Sequence, residues 1–323
     1  MGAEQTVKGG RRVGLGFGLA LGSAAAFGTS GTFGTVLIDA GWSPSAVVLM
    51  RVALASLILA VPAIVALRGR WGDLRRSTPT VLIYGTFAVA GAQICYFQAI
   101  QRLSVGVALL LEYMGVIVVV GWMWLRHGQQ PRRLTVGGSA LAVIGLALVL
   151  DLWGGVRLDP IGILWGLGAA FGLAAYFVMS SKADDAMPPV AMAASGLAVG
   201  AVMLAILGVT GVMPLVATFG SVTMGGMTMS WLIPMLGLSV IAAAFAYVIG
   251  IFAARMLGAT LASFVGLTEV VFAVLFAWLF VDELPRPIQL VGGALIVAGV
   301  ALVRIDEMSR DRGARAQLAE VAG

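Results

Sequence analysis

The chain has 323 residues, 60% of them hydrophobic and 11% charged, with a mean hydropathy of +1.02. A soluble domain carries about 25% charged residues, so lipid must be the solvent for most of this length. The net charge of +5 comes from basic residues scattered over short segments rather than gathered on one face, which speaks against nucleic acid as a partner. A single cysteine, Cys95, and a single histidine, His127, leave no intrachain disulfide, no cysteine- or histidine-built metal site and no Ser-His-Asp triad within the membrane, so no metal and no cofactor is expected.

A crossing helix needs about 20 apolar residues. Ten stretches meet that need: Val13–Leu37, Ala46–Leu67, Pro79–Ile100, Leu103–Leu125, Leu134–Leu150, Ile161–Ser181, Val190–Gly211, Ser230–Phe252, Leu257–Phe280 and Ile288–Val303, the fifth and tenth being the shortest. The first imitates a secretory signal, with Lys8, Arg11 and Arg12 before an apolar run and Ala24-Ala25-Ala26 like a cleavage site. The run continues to Leu37, so it is read as a retained helix. The charged residues 305–323 form a cytoplasmic tail expected to be disordered. Trp42, Trp71, Trp122, Trp124 and Trp153 lie near span ends, where an interfacial aromatic belt is expected.

The connecting segments fix an orientation. With the N-terminus inside, cytoplasmic segments hold 16 of the 20 Lys and Arg, the opposite side holds Arg102, Arg157 and Arg286, and Arg51 lies within a span. That bias places both termini in the cytoplasm of a multi-pass plasma-membrane protein. It also accounts for the high pI without an acidic partner.

Shifting the chain by 154 residues aligns Leu103, Trp124, Pro131-Arg132, Gly138 and Gly145 with Leu257, Trp278, Pro285-Arg286, Gly292 and Gly299. A shift of 144 aligns Gly18, Gly22, Phe27, Gly28 and Pro44 with Gly162, Gly166, Phe171, Gly172 and Pro188. The ten-residue difference falls in the loop around Val212–Met229. Two halves follow, residues 14–150 and 159–304. Because five is odd, the second half must enter the membrane from the opposite side. The predicted fold is an all-α membrane protein of ten transmembrane helices in two inverted five-helix repeats, an arrangement typical of secondary transporters with a site at the midplane.

The stretch Ala262-Ser263-Phe264-Val265-Gly266-Leu267-Thr268-Glu269, with Phe272-Ala273-Val274-Leu275, Asp282-Glu283-Leu284 and Gly292-Gly293-Ala294-Leu295-Ile296, resembles the ninth and tenth helices of the EamA family of the drug/metabolite transporter superfamily. Both halves resemble EamA domains, over about Gly14–Val303. The resemblance implies export of a small metabolite. Where the family often has proline after the residue equivalent to Glu269, this chain has Val270, with Val116 in the first half, so glycines are expected to loosen the helix instead.

Two carboxyls lie near the centres of apolar spans, Glu112 in the fourth and Glu269 in the ninth. A charge at that depth costs a few kcal/mol if it faces lipid, and such groups mark substrate or proton pathways. Under the repeat Glu112 corresponds to Gly266 and Glu269 to Gly115, three residues apart with the order swapped, so both carboxyls belong to one pseudo-equivalent face. They are candidates for substrate binding and proton exchange; the bland reading is a protonated Glu joining two helices by hydrogen bonds. Arg51 can pair with a carboxylate or snorkel to the interface. Gln93 and Tyr96 share a face suited to a polar metabolite, while Tyr113, Thr268, Trp165, Tyr176 and Tyr247 are candidate cavity lining. Glycines every four residues, as in Gly10, Gly14, Gly18 and Gly22, or Gly162 and Gly166, signal helix packing. Asp184-Asp185 is read as solvated.

The resulting expectation is a proton-coupled exporter of an amino acid or drug-like compound working by alternating access. An importer of the same fold and an intramembrane lipid-modifying enzyme are the alternatives, the second lacking any concentrated catalytic set in the sequence.

Overall fold

The computed structural model describes residues 2–103, 105–150, 159–182, 187–281 and 284–321, without the side chains of 2–12, 281, 308 and 310–321. Trp153, Arg157, Asp184, Asp185, Asp282 and Glu283 therefore lie outside the described residues. Ten helices follow in order: α1 Gly2–Asp39, α2 Pro44–Ala66, α3 Trp71–Ile100, α4 Val105–His127, α5 Arg133–Val149, α6 Pro160–Ser180, α7 Pro189–Val209, α8 232–257, α9 259–281 and α10 Pro287–Val321. Among the described residues the fold departs from all-α in one place: Ser221–Met224 and Met227–Ser230 pair as an antiparallel hairpin, β1 and β2, within the loop that carries the ten extra residues of the second half.

Local chemistry sets the boundaries. Ser43 accepts from the Ala46 amide ahead of Pro44, and Asp159 accepts from the Ile161 and Gly162 amides ahead of Pro160, so the orphan donors of α2 and α6 are satisfied. Gly128 ends α4 in the left-handed region. Gly258, at φ 79 and ψ 166, turns the chain between α8 and α9 where no other residue adopts that backbone cheaply.

Two irregularities recur in both halves. α3 and α8 each contain a π-helical stretch, Tyr84–Gly91 and Gly237–Phe245. α4 and α9 are each interrupted at one residue, Met114 and Leu267. Proline is absent from both interruptions and a glycine adjoins each, Gly115 and Gly266, as the sequence leads one to expect. At the second, the Thr268 hydroxyl donates to the Val265 carbonyl at 2.6 Å, which supports the backbone at the break.

Packing follows the same pairing. α1 lies against α8 and α9, and α6 against α3 and α4; α2 packs on α7 and α5 on α10. In the last pair the backbones touch. An added Cβ at Gly145 would meet the Gly292 carbonyl oxygen at 2.6 Å and the Ile296 nitrogen at 2.8 Å, and one at Gly138 would meet the Gly299 carbonyl oxygen at 2.7 Å. Gly138 is the repeat counterpart of Gly292, and Gly145 of Gly299. The seam is thus self-complementary and its two helices run antiparallel.

Of the glycine stripe expected on α1, Gly22 meets Ile249, but Gly14 and Gly18 form no packing seam. Gly14 and Gly18 have nothing within 4 Å of an added Cβ and lie exposed, whereas Gly16 meets Met256 and Leu257 and sits one turn from buried Ala20. Spacing alone cannot say which of two overlapping faces is turned inward. Trp42 is also displaced from its expected belt position. It is buried beneath the long loop, donates from Nε1 to the Thr218 carbonyl at 2.6 Å, and packs on Phe219 and Trp231, while Trp71, Trp122 and Trp124 are exposed. Ser43 and Ser45 donate to the Pro214 carbonyl and tie the same loop to the start of α2.

The last helix does not stop at Val303. Where the sequence reading puts a disordered end, the backbone stays helical to Val321, in a stretch free of proline and rich in Ala, Arg and Glu. Asp306, placed by that reading in the tail, is 2% exposed and accepts from the Thr135 hydroxyl of α5 at 2.6 Å.

The seam between α5 and α10 makes a direct prediction. Gly145→Ala forces two backbones apart and destabilises the protein by about 1–3 kcal/mol, lowering its melting temperature in detergent. Gly137→Ala, on the same helix but with open space around it, leaves that temperature unchanged.

Candidate functional site

A cavity of about 1200 Å³ lies at the centre of the bundle. Its lining residues Ile38, Pro44, Ile100, Val105, Leu150 and Gln289 are at or beside helix ends, and Leu284 lies in the connection from α9 to α10. Followed through the chain reversals, those ends fall on one side of the bundle, and the lining stops short of the other side, which carries Arg68, His127 and Lys182.

Eight of the ten residues expected from the sequence line this cavity: Arg51, Gln93, Tyr96, Glu112, Tyr113, Tyr176, Tyr247 and Glu269. They come from α2, α3, α4, α6, α8 and α9, so both halves contribute. Thr268 and Trp165 do not line it. Thr268 is buried at the interruption of α9, with its hydroxyl used by the backbone. Trp165 is half-buried three turns before Tyr176 on α6. At its level α3 and α4 pack directly on that helix, with Cys95 against Gly168 and Leu111 against Gly166, leaving no space for the cavity to extend.

The carboxyls of Glu112 and Glu269 are half-buried and face the cavity. Tyr113 shares the cavity wall with Glu269, and the two carboxyls lie close enough to act on each other electrostatically. The glycine counterparts behave differently. Gly266 lines the cavity and packs against the Phe177 ring, while Gly115 packs against the Ala170 carbonyl and does not line it. Gly28 of α1 sets the place of Glu269: an added Cβ there would meet the Phe272 Cβ at 2.9 Å and the Glu269 carbonyl oxygen at 3.0 Å.

Arg51 decides the character of the site. It is 9% exposed, lines the cavity, and donates from Nη1 to the Ser30 hydroxyl at 3.3 Å, while its Nε has no partner. No carboxylate stands within ion-pairing distance among the described residues, although Arg51 is near enough to act on both Glu112 and Glu269. It does not snorkel: its side chain is buried, turned to the cavity and bonded to Ser30 of α1. A guanidinium that is buried, underused and turned to a cavity suits a bidentate anionic ligand such as a carboxylate.

Sequence reasoning missed Ser30, which orients Arg51, and Phe27, whose ring meets Tyr247 and Tyr176 edge-on with centroids 5.2 and 6.4 Å away. Their spacing on α1 was the available signal: Ser23, Phe27 and Ser30 recur at i, i+4 and i+7, one helix face. Among the described residues no group of three potential metal ligands occurs.

The EamA-like transporter family model matches residues 14–151 and again 160–305. A protein of Archaeoglobus fulgidus named an uncharacterized transporter is 28% identical over 207 residues, covering 64% of this chain and 70% of its own. Another of that description from Bacillus subtilis, YwfM, is 25% identical over 230 residues, covering 67% and 72%. A solved crystal structure superposes with a TM-score of 0.73 over 90% of this chain and 96% of its own at 17% identity, a likeness of fold.

If Arg51 were held for stability, Arg51→Gln would cost about 3–5 kcal/mol, as for a broken buried ion pair. The arrangement predicts a change below about 1 kcal/mol in thermal unfolding of the ligand-free protein, the range of a surface pair, because no protein carboxylate is bonded to it.

Proposed function

Because this chain belongs to the EamA-like transporter family, we propose that it is a proton-coupled secondary transporter that exports a small metabolite, an amino acid or a drug-like compound, across the plasma membrane by alternating access. The observation that carries the reading is the convergence of buried Arg51 with Glu112 and Glu269 on one cavity. Each is expensive in a membrane. Together they form opposite poles for a zwitterion.

In this reading each of the ten helices crosses the bilayer, both termini are cytoplasmic and the cavity mouth faces outward. The two halves are inverted repeats. Support comes from the antiparallel self-complementary glycines of α5 and α10 and from the matched π-helical stretches and helix interruptions. A substrate carboxylate binds the Arg51 guanidinium held by Ser30. The substrate ammonium binds the carboxyls of Glu112 and Glu269, with Tyr113 orienting the latter, and Gln93 and Tyr96 bond the polar remainder. A carboxyl that holds a proton no longer attracts an ammonium, so proton and substrate replace each other at one place. Exchange of one for the other as the halves rock gives coupled export.

The test uses liposomes and a mixture of the radiolabelled proteinogenic amino acids under an imposed pH gradient. The wild type accumulates at least one of them, and Glu269→Gln, with its shape kept, loses gradient-driven accumulation at least about ten-fold, the range a lost charged contact commands. Accumulation equal to wild type would remove Glu269 from the coupling.

A further inference from the structure

Between the cavity and the end of the bundle carrying Arg68 and Lys182 lies a group of rings. Tyr176 and Tyr247 form the cavity floor, edge to face with centroids 5.5 Å apart, and Tyr84 lies beyond Tyr176 at 6.2 Å. Tyr84 is 0% exposed, and so is Ser180, one turn past Tyr176 and at the end of α6. The Tyr84 hydroxyl lies beside Ser180, and the Tyr176 hydroxyl beside Ser23, whose own hydroxyl donates to the Ala246 carbonyl. Yet the hydroxyls of Tyr84, Tyr176 and Ser180 make no hydrogen bond of normal geometry.

Three unpartnered hydroxyls in one buried group cost stability and ask for an explanation. They continue faces that line the cavity: Tyr84 precedes Ala88 and Ala92 on α3, and Ser180 follows Leu173, Tyr176 and Phe177 on α6. The Tyr84 ring rests on Gly196 of α7 and the Tyr176 hydroxyl on Gly250 of α8, positions where a Cβ would collide with them. Rings on glycine surfaces can slide without interlocking, and the groups that lack partners are those that water would satisfy.

We propose that Tyr84, Tyr176 and Ser180 form the closed section of a second route, from the carboxyl cavity to the Lys182 end of the bundle, and that water reaches their hydroxyls when this route opens. The proposal rests on the alternating-access reading above, and it commits these residues to the side that is shut in this conformation. Phenylalanine at position 84 would keep the ring and remove the unsatisfied hydroxyl, so it favours the shut state.

The experiment follows thiol labelling of Ser180→Cys in a Cys95→Ala background by a membrane-impermeant maleimide, in vesicles of both orientations. Lys182→Cys marks the orientation that exposes this end. Ser180→Cys is labelled from that side, and adding Tyr84→Phe slows labelling about ten-fold, a population shift of 1.4 kcal/mol. No labelling above the Cys95→Ala background, or a rate unchanged by Tyr84→Phe, overturns the proposal. Labelling needs no substrate, so failure of the route and failure of the coupling assigned to Glu269 are read independently.

Discussion

Charge in a low-dielectric medium is the constraint from which this architecture follows. Arg51, Glu112 and Glu269 each stand in an apolar helix, and none is tolerable facing hydrocarbon. All three turn to one central cavity, where water or a ligand can solvate them. The rest of the protein makes that cavity possible. α5 and α10 meet backbone to backbone at Gly145 and Gly292, and α1 approaches α9 at Gly28, which brings Glu269 to the cavity wall. Such contacts supply helix association in a medium that offers little hydrophobic force between helices.

The two halves share a scaffold and differ in chemistry. The π-helical stretches of α3 and α8 and the interruptions at Met114 and Leu267 stand within one residue of corresponding places. The charges do not. Glu112 corresponds to Gly266, Glu269 to Gly115, and Arg51 to Ser195, whose hydroxyl is turned back to the Ala191 carbonyl. In the proposed reading the repeated scaffold supplies the enclosure, and its local departures supply the binding chemistry. A cavity with identical poles in each half would have no reason to orient a small zwitterion.

Much of this is legible in the sequence, because hydropathy marks helices and a buried charge is conspicuous against 60% hydrophobic residues. Glu112, Glu269 and Arg51 stand out on that ground alone. What escaped depends on helix rotation and on long-range neighbours. Gly14 and Gly18 have the spacing of a seam, yet Gly16 and Ala20, on an overlapping face, do the packing. Trp42 has the position of a belt residue and is covered by a loop that spacing cannot place. Trp165 shares a face with Tyr176 but sits at a level where α3 and α4 close on α6. Thr268 lies one residue from Glu269, and its hydroxyl is claimed by the broken backbone. Asp306 reads as part of a solvated tail because its partner, Thr135, is 171 residues away.

The central claim is that Arg51 and the two carboxyls form opposite poles for one small molecule. Thermal unfolding of the detergent-solubilised protein with a panel of amino acids, each beside the amine that lacks its carboxylate, tests this most directly. The account predicts that at least one amino acid raises the melting temperature, that its amine does not, and that Arg51→Gln abolishes the effect. Equal stabilisation by the amine, or stabilisation that survives Arg51→Gln, would contradict it.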